Sequence, residues 1–234
     1  MERFIRNKLL IGEQGVKKLE KSAVLVFGVG GVGGYVVEAL CRAGVGTIDV
    51  VDRDKVDESN INRQIIANYD TIGKYKVDVI YERMRCINPD VKCDRYPIFY
   101  LPGDDSINFT KYNYIIDAID TVGSKIDIIT KARENNIRVI SAMGAGNKLD
   151  PTKFVVCDIK NTKHCPLARV IRRELKKRQI NNVKVVYSTE LAIKPLELEE
   201  DINKRKKTPG SISYNPGICG LMLAGQVIND LLER

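Results

Sequence analysis

Residues that could bind a nucleotide are concentrated between positions 22 and 64. The apolar run 23–27 is followed directly by the glycine loop Gly28-Val29-Gly30-Gly31-Val32-Gly33. In a G-x-G-x-x-G loop the glycines allow a tight turn, a close approach of backbone N–H groups to a phosphate, and packing of the next helix on the strand. The next predicted strand, Thr47-Ile48-Asp49-Val50-Val51-Asp52, ends in Asp52, at the spacing where an acid binds a ribose hydroxyl. The pattern predicts a nucleotide-binding strand–helix–strand unit.

Polar and cationic residues after Asp52 narrow the choice of nucleotide. They are Asp54, Asn60, Arg63, Gln64 and Lys76. The glycine loop alone favours a nicotinamide-dependent oxidoreductase, but a hydride-transfer site has no need of these side chains. An arginine and a lysine together can neutralise a polyphosphate and stabilise a pyrophosphate leaving group. The segment therefore favours ATP over NAD.

At these positions the chain resembles the adenylating enzymes related to ubiquitin-activating enzyme, which include activators of the molybdopterin and thiamin sulfur carriers. The matching residues are the loop Gly28–Gly33 and Asp52, Asp54, Asn60, Arg63, Gln64, Lys76 and Asp120. The resemblance implies that ATP is the cofactor, that Asp120 binds Mg²⁺, and that Arg63, Lys76 and Asp120 are catalytic. Arg6 matches a catalytic arginine that enters the partner subunit's site, which implies a homodimer.

Within that superfamily the chain most resembles the tRNA threonylcarbamoyladenosine dehydratases. This resemblance extends over Asp117–Thr121, Gly144–Thr152, Tyr187–Glu190 and a turn expected at Pro216–Gly220. It implies ATP-dependent cyclisation of N6-threonylcarbamoyladenosine beside the anticodon of tRNA, through an acyl-adenylate, with release of AMP and pyrophosphate. It also leaves open a partner from a sulfur-transfer or cysteine desulfurase system.

Three other functions are compatible with parts of this sequence pattern. An activator of a ubiquitin-like sulfur carrier would share the adenylation site, but such enzymes usually hold a structural zinc with two C-x-x-C pairs, and the six cysteines of this chain form none. An NAD-dependent oxidoreductase would leave Asn60, Arg63 and Lys76 without a purpose. A non-catalytic RNA-binding relative would keep basic surfaces and show no ATP turnover.

The net charge of +8 and the pI near 9.1 favour an anionic partner. The basic residues cluster on the predicted helix 166–179, where Arg169, Arg172, Arg173, Lys176 and Lys177 are candidates for contacts to the phosphates of RNA. A second cluster is Lys204-Arg205-Lys206-Lys207. The alternative interpretation is a solvated helix face followed by a basic loop.

The strands and helices that must position these residues predict an α/β fold. We expect a Rossmann-like, mostly parallel sheet with helices on both faces and a smaller C-terminal β/α extension. The predicted strands are 23–27, 47–52, 92–99, 114–120, 138–143, 154–159 and 184–188. The chain length suits one domain, divided into an N-terminal helical arm 1–21, a nucleotide-binding core 22–150 and a substrate- and tRNA-facing part 151–234.

Acids at the end of the predicted strand 114–120 are candidates for the ligand crevice. Asp117 and Asp120 lie where the carboxyl end of a central parallel strand faces that crevice, although an acid there can instead cap the following helix. The sequence contains no apolar run long enough to span a membrane and no secretory leader. The scattered cysteines suit reduced thiols. We therefore expect a cytoplasmic protein.

Overall fold

A seven-stranded sheet forms the centre of the computed structural model, which describes residues 2–196 and 209–234. The strands lie in the order β3-β2-β1-β4-β5-β7-β6, and all neighbouring pairs are parallel except the antiparallel pair β6 and β7. Their bounds are β1 Ala23–Phe27, β2 Thr47–Val51, β3 Arg95–Tyr96, β4 Tyr114–Asp117, β5 Arg138–Ala142, β6 Phe154–Asp158 and β7 Lys184–Ser188. The predicted α/β fold with a mostly parallel sheet is confirmed.

Six α-helices accompany the sheet in the described part of the chain. Their bounds are α1 Ile5–Glu20, α2 Gly33–Ala43, α3 Lys76–Ile87, α4 Val122–Glu134, α5 Pro166–Lys177 and α6 Asn215–Leu232. Helix α1 is kinked at Gly12, whose φ of 71° and ψ of 173° are not helical. Gly15, by contrast, lies within the helix and is buried. The second basic cluster, Lys204–Lys207, lies outside the described residues.

The core has two halves because side chains of a strand alternate between the two faces of a sheet. Val24 and Val26 of β1 pack with the apolar sides of α2, α3 and α6. Leu25 and Phe27, the intervening residues, pack on the other face with α4 and α5. Both faces of β1 are therefore buried, which is why its sequence is continuously apolar rather than alternating.

The turn expected at Pro216–Gly220 is wrong, because these residues form the first part of α6. Proline is accepted in the first turn of a helix, where its missing N–H group has no intrahelical partner. Gly220 serves packing rather than a turn: a Cβ atom there would lie 2.3 Å from the carbonyl oxygen of Val32. The glycines of this segment let α6 approach α2 closely, and a sequence pattern alone does not separate that use from a turn.

The topology creates a crevice at the carboxyl ends of the central strands. Strand β1 pairs with β2 on one side and with β4 on the other, and in open α/β sheets ligands bind where the connections diverge in this way. Asp52 and Asp120 come just after β2 and β4, so both lie at this edge. Strand β3 is shorter than predicted, since only a single bridge between Thr47 and Lys92 extends it. Among the described residues, no helix is both long and apolar enough to cross a membrane.

Candidate nucleotide-binding site

The glycine loop turns sharply between β1 and α2. Gly28 has a φ of 88°, which favours glycine, and its N–H group donates to the carbonyl oxygen of Val51 at 2.8 Å. A Cβ atom on Gly33 would lie 1.7 Å from the carbonyl oxygen of Gly28, so only glycine lets the helix begin this close to the strand. Helix α2 therefore starts directly behind the loop, and its N-terminal end faces the crevice, as an anion site requires.

Asp52 is bonded to the glycine loop itself. Its Oδ2 atom accepts the N–H group of Val29 at 2.7 Å, and its Oδ1 atom accepts the N–H group of Asp54 at 2.9 Å. Burial raises the pKa of Asp52 above the ordinary carboxyl value, although the charge of Lys76 and the two N–H groups oppose that shift. The carboxylate fixes the loop relative to β2 and keeps lone pairs for a ligand hydroxyl.

Arg63 and Gln64 lie on the other side of the glycine loop. A Cβ atom on Gly31 would be 3.5 Å from Cγ of Arg63, and one on Gly30 would be 3.8 Å from Nε2 of Gln64. Gln64 is buried, and its Oε1 atom has no hydrogen-bond partner among the described residues. Arg63 donates to its own turn, to the carbonyl oxygen of Ser59 at 2.8 Å and to Oδ1 of Asn62 at 2.9 Å. Both side chains therefore border the loop where a phosphate would lie.

Asn60 organises the turn that carries Arg63 and Gln64. Its Oδ1 atom accepts the N–H group of Asp57 at 3.2 Å, and its carbonyl oxygen accepts the N–H groups of both Arg63 and Gln64. The side chain is buried in a capping box with Asp57. In this structure Asn60 holds the turn in place, while the predicted contact to nucleotide remains a prediction.

Lys76 reaches the site from the start of α3. Its side chain is only 7% exposed, and Nζ lies 3.1 Å from Oδ2 of Asp54. The backbone N–H group of Lys76 also donates to the carbonyl oxygen of Asp54 at 2.9 Å. Because Asp54 is bonded through its N–H group to Asp52, the three residues form one connected unit at the end of β2. An entering phosphate would compete with Asp54 for the lysine charge.

The two acids after β4 have different surroundings. Asp117 is fully buried, and its carboxylate contacts Lys125 and Ser141. Both expectations for it are wrong, because it does not face the crevice and does not cap α4, whose N-cap residue is Thr121. Asp120 is exposed and has no hydrogen-bond or ion-pair partner among the described residues. Ala118 places this segment against the glycine loop, since a Cβ atom on Gly28 would be 2.8 Å from the carbonyl oxygen of Ala118. Asp120 is thus the free carboxylate beside the loop.

The residues present fit Mg²⁺ bound together with a polyphosphate. Within the described ranges, no group of three or more His, Cys, Asp or Glu side chains could form a protein cage for a metal. Mg²⁺ is usually held by one or two carboxylates together with substrate phosphates and water. The unpaired carboxylate of Asp120, next to a loop built for phosphate, supplies that kind of ligand.

Arg6 lies far from the glycine loop of its own chain. The side chain of its neighbour Asn7 donates to the carbonyl oxygens of Arg42 and Ala43, at 3.1 and 3.3 Å, at the C-terminal end of α2. Helix α2 has 11 residues, so its two ends are roughly 16 Å apart. The loop is at the opposite end, and Arg6 is exposed. The structure therefore separates Arg6 from the other predicted site residues.

The basic helix α5 lies at one side of the crevice. Among the described residues, some of its cationic side chains have a polar or acidic partner and others have none. Arg172 donates to the carbonyl oxygen and hydroxyl of Thr162 at 2.8 and 2.7 Å, so it fastens the helix to the preceding turn. Arg173 and Lys177 lie 3.5 and 2.8 Å from Glu174, which offsets part of their charge. Arg169 and Lys176 are exposed and have no ion-pair partner among the described residues, so an acidic side chain there does not offset their charge.

Two residues near the site escaped the sequence analysis, namely Lys125 and Ser141. Both are fully buried, and both contact Asp117. The sequence pattern could have predicted that Lys125 is buried. It shares helical spacing with Ile128, Ile129 and Ala132, which lie on the buried face of α4. A lysine on an apolar helix face needs a buried partner, and that requirement points to an acid nearby.

Comparison with known proteins gives concordant results. The ThiF family matches residues 4–234. A Bacillus subtilis protein named tRNA threonylcarbamoyladenosine dehydratase is 39% identical over 247 residues, covering 100% of this chain and 96% of the relative. The Escherichia coli structure of tRNA N6-threonylcarbamoyladenosine dehydratase, TcdA, in complex with AMP has a TM-score of 0.89 and 31% identity, covering 99% of this chain and 94% of that chain. The same protein in complex with ATP gives a TM-score of 0.88, with the same identity and coverage.

Proposed function

Because the chain belongs to the ThiF family, we propose that it is an ATP-dependent enzyme that dehydrates N6-threonylcarbamoyladenosine in tRNA. The modified nucleoside lies next to the anticodon, and the reaction passes through an acyl-adenylate. The observation that carries the proposal is the similarity, over the whole chain, to a dehydratase that has been determined with ATP and with AMP. The crevice supplies what such a reaction needs: the glycine loop bordered by Asp52 and Arg63, with Lys76 paired to the nearby Asp54.

The reaction needs no nucleophile from the protein. A carboxylate oxygen of the threonyl group attacks the α-phosphorus of ATP, the bond to the bridging oxygen breaks, and pyrophosphate leaves. The carbamoyl arm of the same nucleoside then attacks the activated carboxyl carbon, AMP leaves, and a proton is released. Attack within one molecule gains a large effective molarity when the arm is correctly oriented. The net change is the loss of one water.

The positive side chains stabilise the charge that develops on the phosphates. Arg63, beside the loop, and Lys76, paired with Asp54 after β2, reach the phosphates from two sides, each by exchanging a protein carbonyl or carboxylate for a phosphate oxygen. Asp120 would hold Mg²⁺, which when bound neutralises phosphate charge. Asp52 binds the ribose and keeps the loop in position for the α-phosphate.

The third cation, Arg6, acts in a homodimer. Its distance from its own loop is explained if each subunit inserts the arginine into the site of its partner, as a two-fold dimer permits. Helix α1 also exposes the apolar side chains of Ile5, Leu9 and Leu10, at 55%, 80% and 79%. A surface of this kind on an N-terminal helix suits contact with a second copy of the chain. A sulfur-transfer or cysteine desulfurase partner remains a prediction from the resemblance alone.

The tRNA contacts part 151–234, chiefly through α5. The N-terminal end of this helix is near the crevice, since a Cβ atom on Gly144, just after β5, would be 3.9 Å from Sγ of Cys165, the residue that caps α5. Arg169 is in the first turn, and Lys176 lies two turns further along the same face. This line of charge leads away from the crevice and suits phosphates on either side of an inserted nucleoside.

We expect the double variant Arg169→Gln/Lys176→Gln to bind tRNA more weakly and with a flatter salt dependence. The slope of log K against log salt should decrease by about one for each phosphate contact removed. Affinity for ATP should remain unchanged, because neither side chain borders the glycine loop. Fluorescence anisotropy with labelled tRNA at several salt concentrations measures both quantities.

A matched control is Lys92→Gln/Lys111→Gln, which removes the same charge from two exposed lysines at the opposite, N-terminal edge of the sheet. This variant should retain the salt slope of the unmodified protein. If both double variants lose the same slope, the effect follows from net charge, and α5 is only a solvated face. Arg172 is unsuitable for this test because its removal would also free the turn at Thr162.

The proposed function is tested by incubating the protein with ATP, Mg²⁺ and threonylcarbamoylated tRNA. Mass spectrometry of the digested nucleosides should show the modified adenosine lighter by one water, with one AMP formed per nucleoside converted. Unchanged nucleoside mass, with demonstrably modified tRNA, would reject the dehydratase assignment. ATP–pyrophosphate exchange that requires the C-terminus of a ubiquitin-like protein would instead indicate a sulfur-carrier activator.

A further inference from the structure

A buried ion pair lies directly beneath the segment that carries Asp120. Nζ of Lys125, on α4, is 2.9 Å from Oδ2 of Asp117, the last residue of β4, and both side chains have 0% exposure. The hydroxyl of Ser141, opposite Asp117 on β5, donates to the same Oδ2 atom at 2.5 Å. A fully buried ion pair contributes little net stability to a core, because the cost of desolvating both charges offsets much of their attraction. We therefore consider what the pair does for the backbone around it.

The pair holds the backbone of the residue that precedes Asp120. The N–H group of Ile119 donates to Oδ1 of Asp117 at 3.3 Å, and the carbonyl oxygen of Ile119 accepts from Nζ of Lys125 at 2.9 Å. These two groups belong to successive peptide planes, one on each side of Ile119. Since the second plane also contains the N–H group of Asp120, the backbone that leads into Asp120 is fixed up to its Cα atom. Of the backbone rotations up to this residue, only the one about its N–Cα bond then remains to set the direction of the Cα–Cβ bond.

The same segment is pressed against the glycine loop on its other side. The N–H group of Ala118 donates to the carbonyl oxygen of Phe27 at 2.8 Å, and Gly28 has no room for a Cβ atom beside Ala118 and Ile119. The exposed carboxylate of Asp120 thus projects from a backbone that is held from below by the ion pair and from the side by the phosphate loop. Its own side chain has no partner among the described residues. Orientation must come from the backbone.

We propose that Asp117, Lys125 and Ser141 are positioning residues that fix Asp120 for Mg²⁺ bound with the nucleotide. This inference rests on the proposed function for the role of Asp120, and it extends that function to three residues that touch neither ATP nor tRNA. Outer groups that orient a metal ligand typically change metal affinity or activity by about 10- to 100-fold when they are removed.

The decisive variant is Asp117→Asn/Lys125→Met, which removes both charges together and avoids leaving one buried charge without its partner. We expect affinity for a non-hydrolysable ATP analogue without metal to be unchanged. The Mg²⁺ concentration that half-saturates the tightening of analogue binding should rise by about 10-fold. Isothermal titration calorimetry at a series of Mg²⁺ concentrations measures both quantities without turnover. Ser141→Ala, which removes one neutral donor, should give a smaller shift in the same direction.

Tyr112→Phe is the matched control for a lost buried hydrogen bond. The hydroxyl of Tyr112 donates to Oδ2 of Asp49 at 2.7 Å, just before β4 begins and away from the crevice. This variant should lose thermal stability and keep the Mg²⁺ midpoint of the unmodified protein. An equal shift in the control, or an unshifted midpoint in the folded double variant, would overturn the proposal. If the double variant does not fold, an unshifted midpoint in Ser141→Ala overturns it.

Different results would reject the dehydratase function and the positioning role of Asp117, Lys125 and Ser141. Unmodified protein that leaves tRNA unchanged but shows Mg²⁺-dependent analogue binding, with the expected shift in the double variant, would reject the dehydratase function and support the positioning role. Normal dehydration with analogue binding that is indifferent to Mg²⁺ would support the dehydratase function and reject the positioning role.

Discussion

Asp120→Ala should lower the turnover of tRNA dehydration by about 100- to 1,000-fold, the range seen when one pre-organised stabiliser of transition-state charge is removed. Its dependence on Mg²⁺ concentration should weaken at the same time. Affinity for metal-free ATP should change little, because the exposed carboxylate bonds to no part of the glycine loop. Steady-state kinetics over a range of ATP and Mg²⁺ concentrations separates these effects.

Asp52→Ala provides the contrast, since Asp52 holds the loop through Val29 and is expected to bind the ribose. It should mainly raise KM for ATP, as loss of a contact common to ground and transition states does. Glu134→Ala, at the exposed far end of α4, is the control for an acid without a role. If Asp52→Ala and Asp120→Ala both weaken ATP binding and leave turnover intact, the metal assignment of Asp120 is wrong.

Mixing two inactive variants, Arg6→Ala and Asp120→Ala, should restore about a quarter of the unmodified activity if the sites of a two-fold dimer are completed in trans. Random reassociation makes half of the dimers mixed. In each mixed dimer one site contains both lesions and the other contains neither, so one site in four is intact. The tRNA dehydration assay, after dissociation and reassociation of the subunits, measures the recovery.

The matched control mixes Asp120→Ala with Lys76→Ala. Both residues belong to the crevice of their own chain, so every site in a mixed dimer keeps one lesion and activity should not return. Native mass spectrometry must show that mixed dimers form in both experiments. Absence of recovery in the Arg6→Ala mixture, with mixed dimers present, would mean that Arg6 acts within its own subunit or that the two sites are not independent.

The sequence by itself determined the nucleotide unit, because each of its signals is local. The apolar run of β1, the glycine loop and Asp52 are separated by spacings that the geometry of a strand, a turn and a helix imposes. Arg63, Gln64 and Lys76 were predicted at the same crevice; in the structure Arg63 and Gln64 lie beside the loop, and Lys76 contacts Asp54 after β2. The fold class followed from the alternation of strands and helices.

Only the tertiary structure decided what similar residues do when their surroundings differ. Asp117 and Asp120 are equivalent in sequence, but the partners of Asp117 come from α4 and β5, so one acid is buried and the other free. The resemblance implied a turn at Pro216–Gly220, but these residues begin α6, and their glycines pack against the start of α2. Likewise, the sequence does not distinguish Arg172 from the other cations on α5. Only the structure shows that it bonds to Thr162 and fastens the helix to the preceding turn. Each outcome depends on contacts between residues distant in the chain or on burial, and neither is encoded in local spacing.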